Sequence, residues 1–323
     1  MAPPPFDGYE EDLLDDEVLQ DEEEEWVELG DEGAPGFRAA LFSSQAGLYA
    51  RYRPNYPPHV YQRIYDFAEV ASGGVRPGQG SQELALDIGC GPGNVTVELA
   101  KTYVQVVGVD PSKDQLDHAI QGPNIRYAQV AAEFLAHHLP PRSVDLIAMA
   151  ETLHWLDHLR FYEQARLILK PTGCLAIWCY DLAEFEPNEA HPDAEGAEKA
   201  NALMRAYTYS VIGPFWDNRR TYIDRRYAGL EPLASQFRVV ERADMRMEHM
   251  WSMDHFVGFL RSWSPYAAFR KTYPDKEDPL VDLRAQLNKL LGVTDDAAAT
   301  LRVTFPVFLL LIRDPVQPEL PPL

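Results

Sequence analysis

From Leu84 onward the chain falls into short apolar runs separated by amphipathic segments. Five runs of five to seven residues read as strands: Leu84–Ile88, Val104–Val109, Ile125–Val130, Val144–Ala150 and Cys174–Tyr180. The segments between them carry helical patterning over Val95–Lys101, Lys113–Ile120, a short stretch near Ala132–Ala136, and Leu159–Leu169. Asn94 and Ser112 stand where N-caps belong, and Pro171-Thr172-Gly173 marks the turn into the fifth strand. Strands alternating with helices at this spacing predict an α/β fold, a doubly wound, mostly parallel sheet with helices on both faces. Phe237–Met250 and Val303–Arg313 read as two further strands, seven in all, with a helix over Met253–Trp263. Residues 181–235 are polar, then helical, then rich in Trp, Tyr and Arg. They predict a helical insertion after the fifth strand that covers the carboxyl edge of the sheet.

Charge changes the picture at one end only. The net charge of -21 is concentrated in the first 35 residues, which hold fifteen Asp and Glu and no Lys or Arg. Residues 1–36 therefore read as a disordered acidic tail, a solubilising segment or a docking segment for a basic partner. Residues 37–323 read as one domain: an N-terminal lid and helix (37–80), a core (81–180), the insertion (181–235) and C-terminal strands and helices (236–323). The acidic balance argues against nucleic acid as a partner. The longest apolar run, Val303 to Ile312, is too short to span a bilayer, and the N-terminus lacks a signal-peptide pattern. Cys90, Cys174 and Cys179 lie in apolar settings as reduced thiols, so the expected location is cytoplasmic.

The segment LALDIGCGPGN (Leu84 to Asn94) is the chemical signal. A glycine loop between strand and helix lets backbone N–H groups approach a ligand. The Lys of a triphosphate loop is missing, and Gly89, Gly91 and Gly93 are spaced GxGxG rather than GxGxxG. Asp87, two residues before the first glycine, would repel a pyrophosphate but suits the cationic amino-acid end of S-adenosylmethionine. Asp110 closes the second strand, where an acid accepts hydrogen bonds from both ribose hydroxyls. Loop, Asp87 and Asp110 together point to S-adenosylmethionine as cofactor.

On these residues the sequence resembles the class I S-adenosylmethionine-dependent methyltransferases, which implies a Rossmann-like sheet. More narrowly it is similar to the type 11 group that includes trans-aconitate methyltransferases and their fungal and plant relatives. DIGCGPGN and GVDPS match the first two motifs. SVDLIAMAETLHWLD resembles the fourth-strand segment, LKPTGCLAIWCYD the motif that follows, and YARYRPNYP the aromatic-arginine segment ahead of the domain. The resemblance covers roughly residues 42–313. It implies cofactor contacts at Tyr49, Arg53, Asp87, Gly89, Gly91, Gly93, Asp110 and Ala150. Ala131 departs from the pattern, standing where relatives carry an acid for the adenine amine. The backbone of Ala131–Ala132 or the carboxylate of Glu133 is the expected substitute.

Methyl transfer from a sulfonium is an in-line displacement, to which a protein contributes proximity and alignment. By the resemblance the acceptor is a small molecule, with a carboxylic acid the leading expectation. A carboxylate needs no base but needs a cation, and Arg51, Arg53, Arg219, Arg220, Arg225 and Arg226 are candidates unless they pair locally. A hydroxyl or amine acceptor needs a base, and His154 is the first candidate. Glu151, at the strand tip, can face cofactor or substrate, and Trp155 can line the pocket. His154 and His158 share i, i+4 spacing without a third ligand, so no metal is expected. Two other readings stay open: a protein acceptor docked by the acidic tail, and a non-catalytic module that kept the fold.

Overall fold

In the computed structural model, which describes Leu48 and residues 51–69 and 83–317, the central strand is β1 (Leu84–Ile88), buried along its whole length. Such a run has no polar face because helices cover both sides of a parallel sheet. β2 (Gln105–Val109) and β4 (Val144–Ala150) flank β1 in parallel, with Asp87 opposite Gly108 on one side and Ala148 on the other. β3 (Ile125–Ala128) lies outside β2, and β5 (Leu169–Tyr180) lies outside β4. The antiparallel half begins with β8 (Leu301–Pro315) beside β5. β8 in turn pairs along its length with β7 (Phe237–Trp251) and near its start with the short β6 (Glu184–Glu186). The path β3-β2-β1-β4-β5-β8-β6, with β7 also on β8, is the predicted seven-stranded sheet plus one short strand.

Period-two alternation divides the core. Along β5, Cys174, Ala176, Trp178 and Tyr180 face one apolar layer, and Leu175, Ile177 and Cys179 face the other. The first layer holds α1 (Pro58–Phe67), α2 (Asn94–Leu99) and the C-terminal helices α8 (Met253–Arg261), α9 (Ser264–Thr272) and α10 (Pro279–Leu291). The second holds α4 (Leu135–His138) and α5 (His158–Ile168), the latter capped by Asp157 accepting from Arg160 N–H at 3.2 Å. α3 (Lys113–Leu116) is capped by Ser112, as predicted, and is four residues long because it stops well before Ile120.

Three expectations need correction. Pro171-Thr172-Gly173 does not separate helix from strand. It lies inside β5, where Leu169 pairs with Val144 and Cys174 with Leu146, so the extra residues bulge outward. Gly93, in the left-handed conformation at φ +86°, caps α2 in place of Asn94. The insertion is not purely helical. It opens with β6, then α6 (Ala194–Ala206) packs on α10, and α7 (Arg220–Asp224) with Tyr227 and Leu230 enters the opposite core layer. Residues 1–36 and Tyr49 lie outside the described residues. No helix among the described residues is long and apolar enough to cross a membrane.

Candidate active site

A cavity of about 320 Å³ opens at the carboxyl ends of β1, β2, β4 and β5. The crevice at this end of an open α/β sheet is where such folds bind ligands. Its floor is the loop after β1. Gly89, Gly91 and Gly93 all take positive φ, and a Cβ on Gly89 or Gly93 would collide with the side chain of Thr152 or Tyr127. The loop is tied down by Gly89 and Cys90 N–H groups donating to Val109 O at 2.8 and 3.1 Å.

Two acids frame the loop. Asp87 is almost fully buried and accepts the Thr96 hydroxyl at 2.6 Å. Burial pushes its carboxyl up to about 7, with the Thr96 bond opposing and Asp110 adding. Asp110 accepts Gly91 N–H at 2.9 Å on one oxygen and Ser112 N–H at 2.8 Å on the other. Burial raises it to about 6 against those two bonds. Each Asp110 oxygen retains a lone pair, so the carboxylate can receive two further donors side by side.

Ala131, Ala132 and Glu133 line the far end beyond β3, and Ala150, Glu151 and Trp155 line the near end beyond β4. Glu133 also accepts Asp157 N–H at 3.0 Å, so it braces the start of α5 as well as bounding the cavity. Over the near end lies the segment ahead of α1. Arg53 donates to Tyr180 Oη at 2.8 Å and to Ser262 O at 3.3 Å, and its guanidinium lies 5.6 Å from the Phe259 ring centre. Tyr56 meets Trp178 edge-on and donates to Glu151 Oε1 at 3.3 Å. Tyr52 seats on Gly258 of α8, where a Cβ would stand 2.4 Å from the ring.

His154 is not brought to the cavity. It is buried on the other side of the Leu153–Trp155 turn, with Nδ1 2.7 Å from Tyr227 Oη. Burial, reinforced by Arg220 and Arg219, drives its pKa down to about 3, so it is neutral and a poor base. The insertion arginines do not line the cavity either. Arg219 pairs with Asp217 at 3.4 Å, Arg220 with Asp224 and Asp181 at 3.0 and 3.1 Å, and Arg226 with Asp244 at 2.9 Å. No residue of 181–235 is among the described residues that line it. Tyr180 and Thr152 lie in motif segments that give no hint of their contacts, and their roles, like that of Gly258, come from what packs against them.

A glycine loop on a buried strand, with an acid at the end of each of two neighbouring strands, defines a class: enzymes that bind an adenosyl amino acid. Residues 86–177 match the family described as a methyltransferase domain. The chain is 32% identical over 273 residues to a methyltransferase of Dictyostelium discoideum, spanning 84% of this chain and 94% of that one. It is 25% identical over 297 residues to the Saccharomyces cerevisiae S-adenosylmethionine-dependent methyltransferase CRG1, spanning 83% and 95%. A type II methyltransferase structure from Anaeromyxobacter dehalogenans shares 28% identity and a TM-score of 0.66 over 83% of this chain and 100% of that one. The chain belongs to the S-adenosylmethionine-dependent methyltransferases.

Proposed function

We propose that this protein transfers the methyl group of S-adenosylmethionine to a small-molecule acceptor within the cavity. The observation that carries the reading is Asp110, whose two oxygens are held by backbone N–H groups with one lone pair each turned to spare. Ribose hydroxyls are the donors that fit. Asp87 and the loop would take the methionine ammonium, Arg53 its carboxylate, and the backbone of Ala131 and Ala132 with Glu133 the adenine. The cofactor supplies an electrophilic methyl on a sulfonium, and the chain supplies alignment and exclusion of water. The cavity lies within the range of about 300–1,000 Å³ usual for small-molecule sites. A segment laid across its near end favours a small acceptor over a protein. The three buried free thiols fit a reducing, cytoplasmic setting.

The test is a calorimetric titration of the full chain with S-adenosylmethionine. Saturable one-to-one binding is expected, and its absence would remove the reading. Gly258→Ala supplies a second check. The added methyl displaces Tyr52, and with it Arg53. Cofactor affinity is expected to fall roughly tenfold, the worth of one weakened charged hydrogen bond. Melting temperature should hold, because alanine also favours the helix.

A further inference from the structure

The groups assigned so far hold the cofactor, and none of them receives a proton. Glu151 is the first residue after β4 and takes a left-handed backbone, φ +56°, which a non-glycine residue adopts only where its surroundings hold it. Here Glu151 N–H donates to Trp178 O at 3.0 Å. The carboxylate lines the cavity and is fixed from behind. Oε1 accepts Tyr180 N–H at 2.6 Å and the Tyr56 hydroxyl at 3.3 Å, and Oε2 accepts the Cys179 thiol at 2.8 Å. Cys179 shares its core layer with Tyr227, whose hydroxyl meets His154. Three donors on four lone-pair positions leave one, on Oε2.

Sheet order says what that position faces. Asp110 follows β2, the glycine loop follows β1, Glu151 follows β4, and Tyr180 ends β5. Neighbouring strands stand about 4.8 Å apart, so Asp110 and Glu151 are separated by roughly 10 Å, two strand spacings. With the ribose on Asp110 and the amino-acid end over the loop, the methyl-bearing sulfur falls on the β4 side, toward Glu151. The other acids are committed elsewhere. Glu133 lies at the adenine end, and Glu98 pairs with Lys101 at 2.6 Å. The described lining holds five carboxylates (Asp87, Glu98, Asp110, Glu133, Glu151) and one guanidinium, Arg53, a field that disfavours an anionic acceptor.

We propose that Glu151 takes the proton of the methyl acceptor, and that the acceptor is a small hydroxyl or amine compound rather than a carboxylic acid. The proposal rests on the cofactor reading above. The acceptor's oxygen or nitrogen lone pair forms the bond to the methyl carbon. The carbon–sulfur bond breaks, its electron pair passing to sulfur to leave a neutral thioether. The acceptor's proton moves to Glu151 Oε2 and later returns to solvent. Cys179 and Tyr56 are positioning residues that hold the carboxylate toward the cavity.

Sinefungin tests the placement without a known acceptor, because it carries an ammonium where the transferable methyl stands. The full-length wild type and Glu151→Gln are titrated with sinefungin and with S-adenosylhomocysteine, which has no group there. The variant is expected to bind S-adenosylhomocysteine as wild type does, which also shows that it is folded, and to bind sinefungin at least about tenfold more weakly. Equal loss of both ligands would put Glu151 on the methionine ammonium and overturn the proposal. So would no change in either. A wild type that binds neither ligand would instead sink the cofactor reading. In transfer assays, methylation of phenol or benzylamine is expected to depend on Glu151. Methylation of benzoate at an undiminished rate by Glu151→Gln would overturn the acceptor class.

Discussion

Asp110→Asn is expected to lower S-adenosylmethionine affinity about 100-fold. Two hydroxyl donors would meet a charged acceptor on each oxygen, and charge-assisted bonds of this kind contribute about 1.5–3 kcal/mol each. The amide keeps one oxygen and turns an N–H₂ toward either Gly91 N–H or Ser112 N–H, which now donate to the carboxylate. Wild-type affinity should itself fall with acidity. Burial holds Asp110 at about 6 and Asp87 at about 7, and both must be ionised to serve the cofactor. Calorimetry at about pH 5 and about pH 8 checks the sign: weaker binding at the lower value. Equal affinities at both, or a variant that binds like wild type, would remove Asp110 from the ribose.

Asp87→Asn is expected to do two opposite things at pH 8: abolish detectable cofactor binding and make the unliganded protein more stable. The sign follows from linkage. Burial pushes Asp87 up to about 7 in the folded chain against the ordinary 3.8, so the folded state binds the proton more tightly than the unfolded one. The penalty is absent below about pH 4, grows as pH rises between the two values, and is complete above about 7. Three pKa units correspond to about 4 kcal/mol. The amide returns part of this, because it accepts the Thr96 hydroxyl but leaves its own N–H₂ short of partners. A net gain on the order of 2 kcal/mol remains. Urea denaturation of both proteins at pH 8 and at about pH 4 measures it, and the gain should give way to a loss at the lower pH, where only the cost of the unpartnered amide remains. A variant less stable than wild type at pH 8 would contradict the claim that ligand binding is what justifies a buried charge there.

Much of the site was legible because its parts are local. Asp87, the three glycines and Asp110 sit at strand ends, and a strand end can be read from where an apolar run stops. Ala131 and Ala132 follow the third strand in the same way, and the structure puts them on the cavity wall with Glu133. His154 was misplaced for a reason that spacing does not carry. It lies on a single turn, Leu153–Trp155, and which side of that turn faces the cavity depends on Tyr227, 73 residues later. The insertion arginines failed likewise, since charge near a site in sequence says nothing about Asp181, Asp217 and Asp244 meeting them first. α9 escaped because its apolar stripe is short, and α8 and the 213–215 turn stabilise it. α10 was legible and missed: Leu280, Leu283, Leu287 and Leu291 recur at helical spacing between the Asp278 cap and Gly292.

The sequence by itself determined the doubly wound half of the sheet, the order of its chemistry along the strands, and the class of cofactor. Hydrophobic period, cap residues and glycine placement act within a few residues, so one chain segment contains the whole physical cause. Only the tertiary structure decided what lies over the cavity and which groups hold the carboxylate at its β4 end. Tyr52 on Gly258, Arg53 on Tyr180, and Glu151 held by Tyr180, Tyr56 and Cys179 join residues separated by 28 to 206 positions. Those pairings arise from the packing of two core layers around one sheet, and no local pattern specifies them.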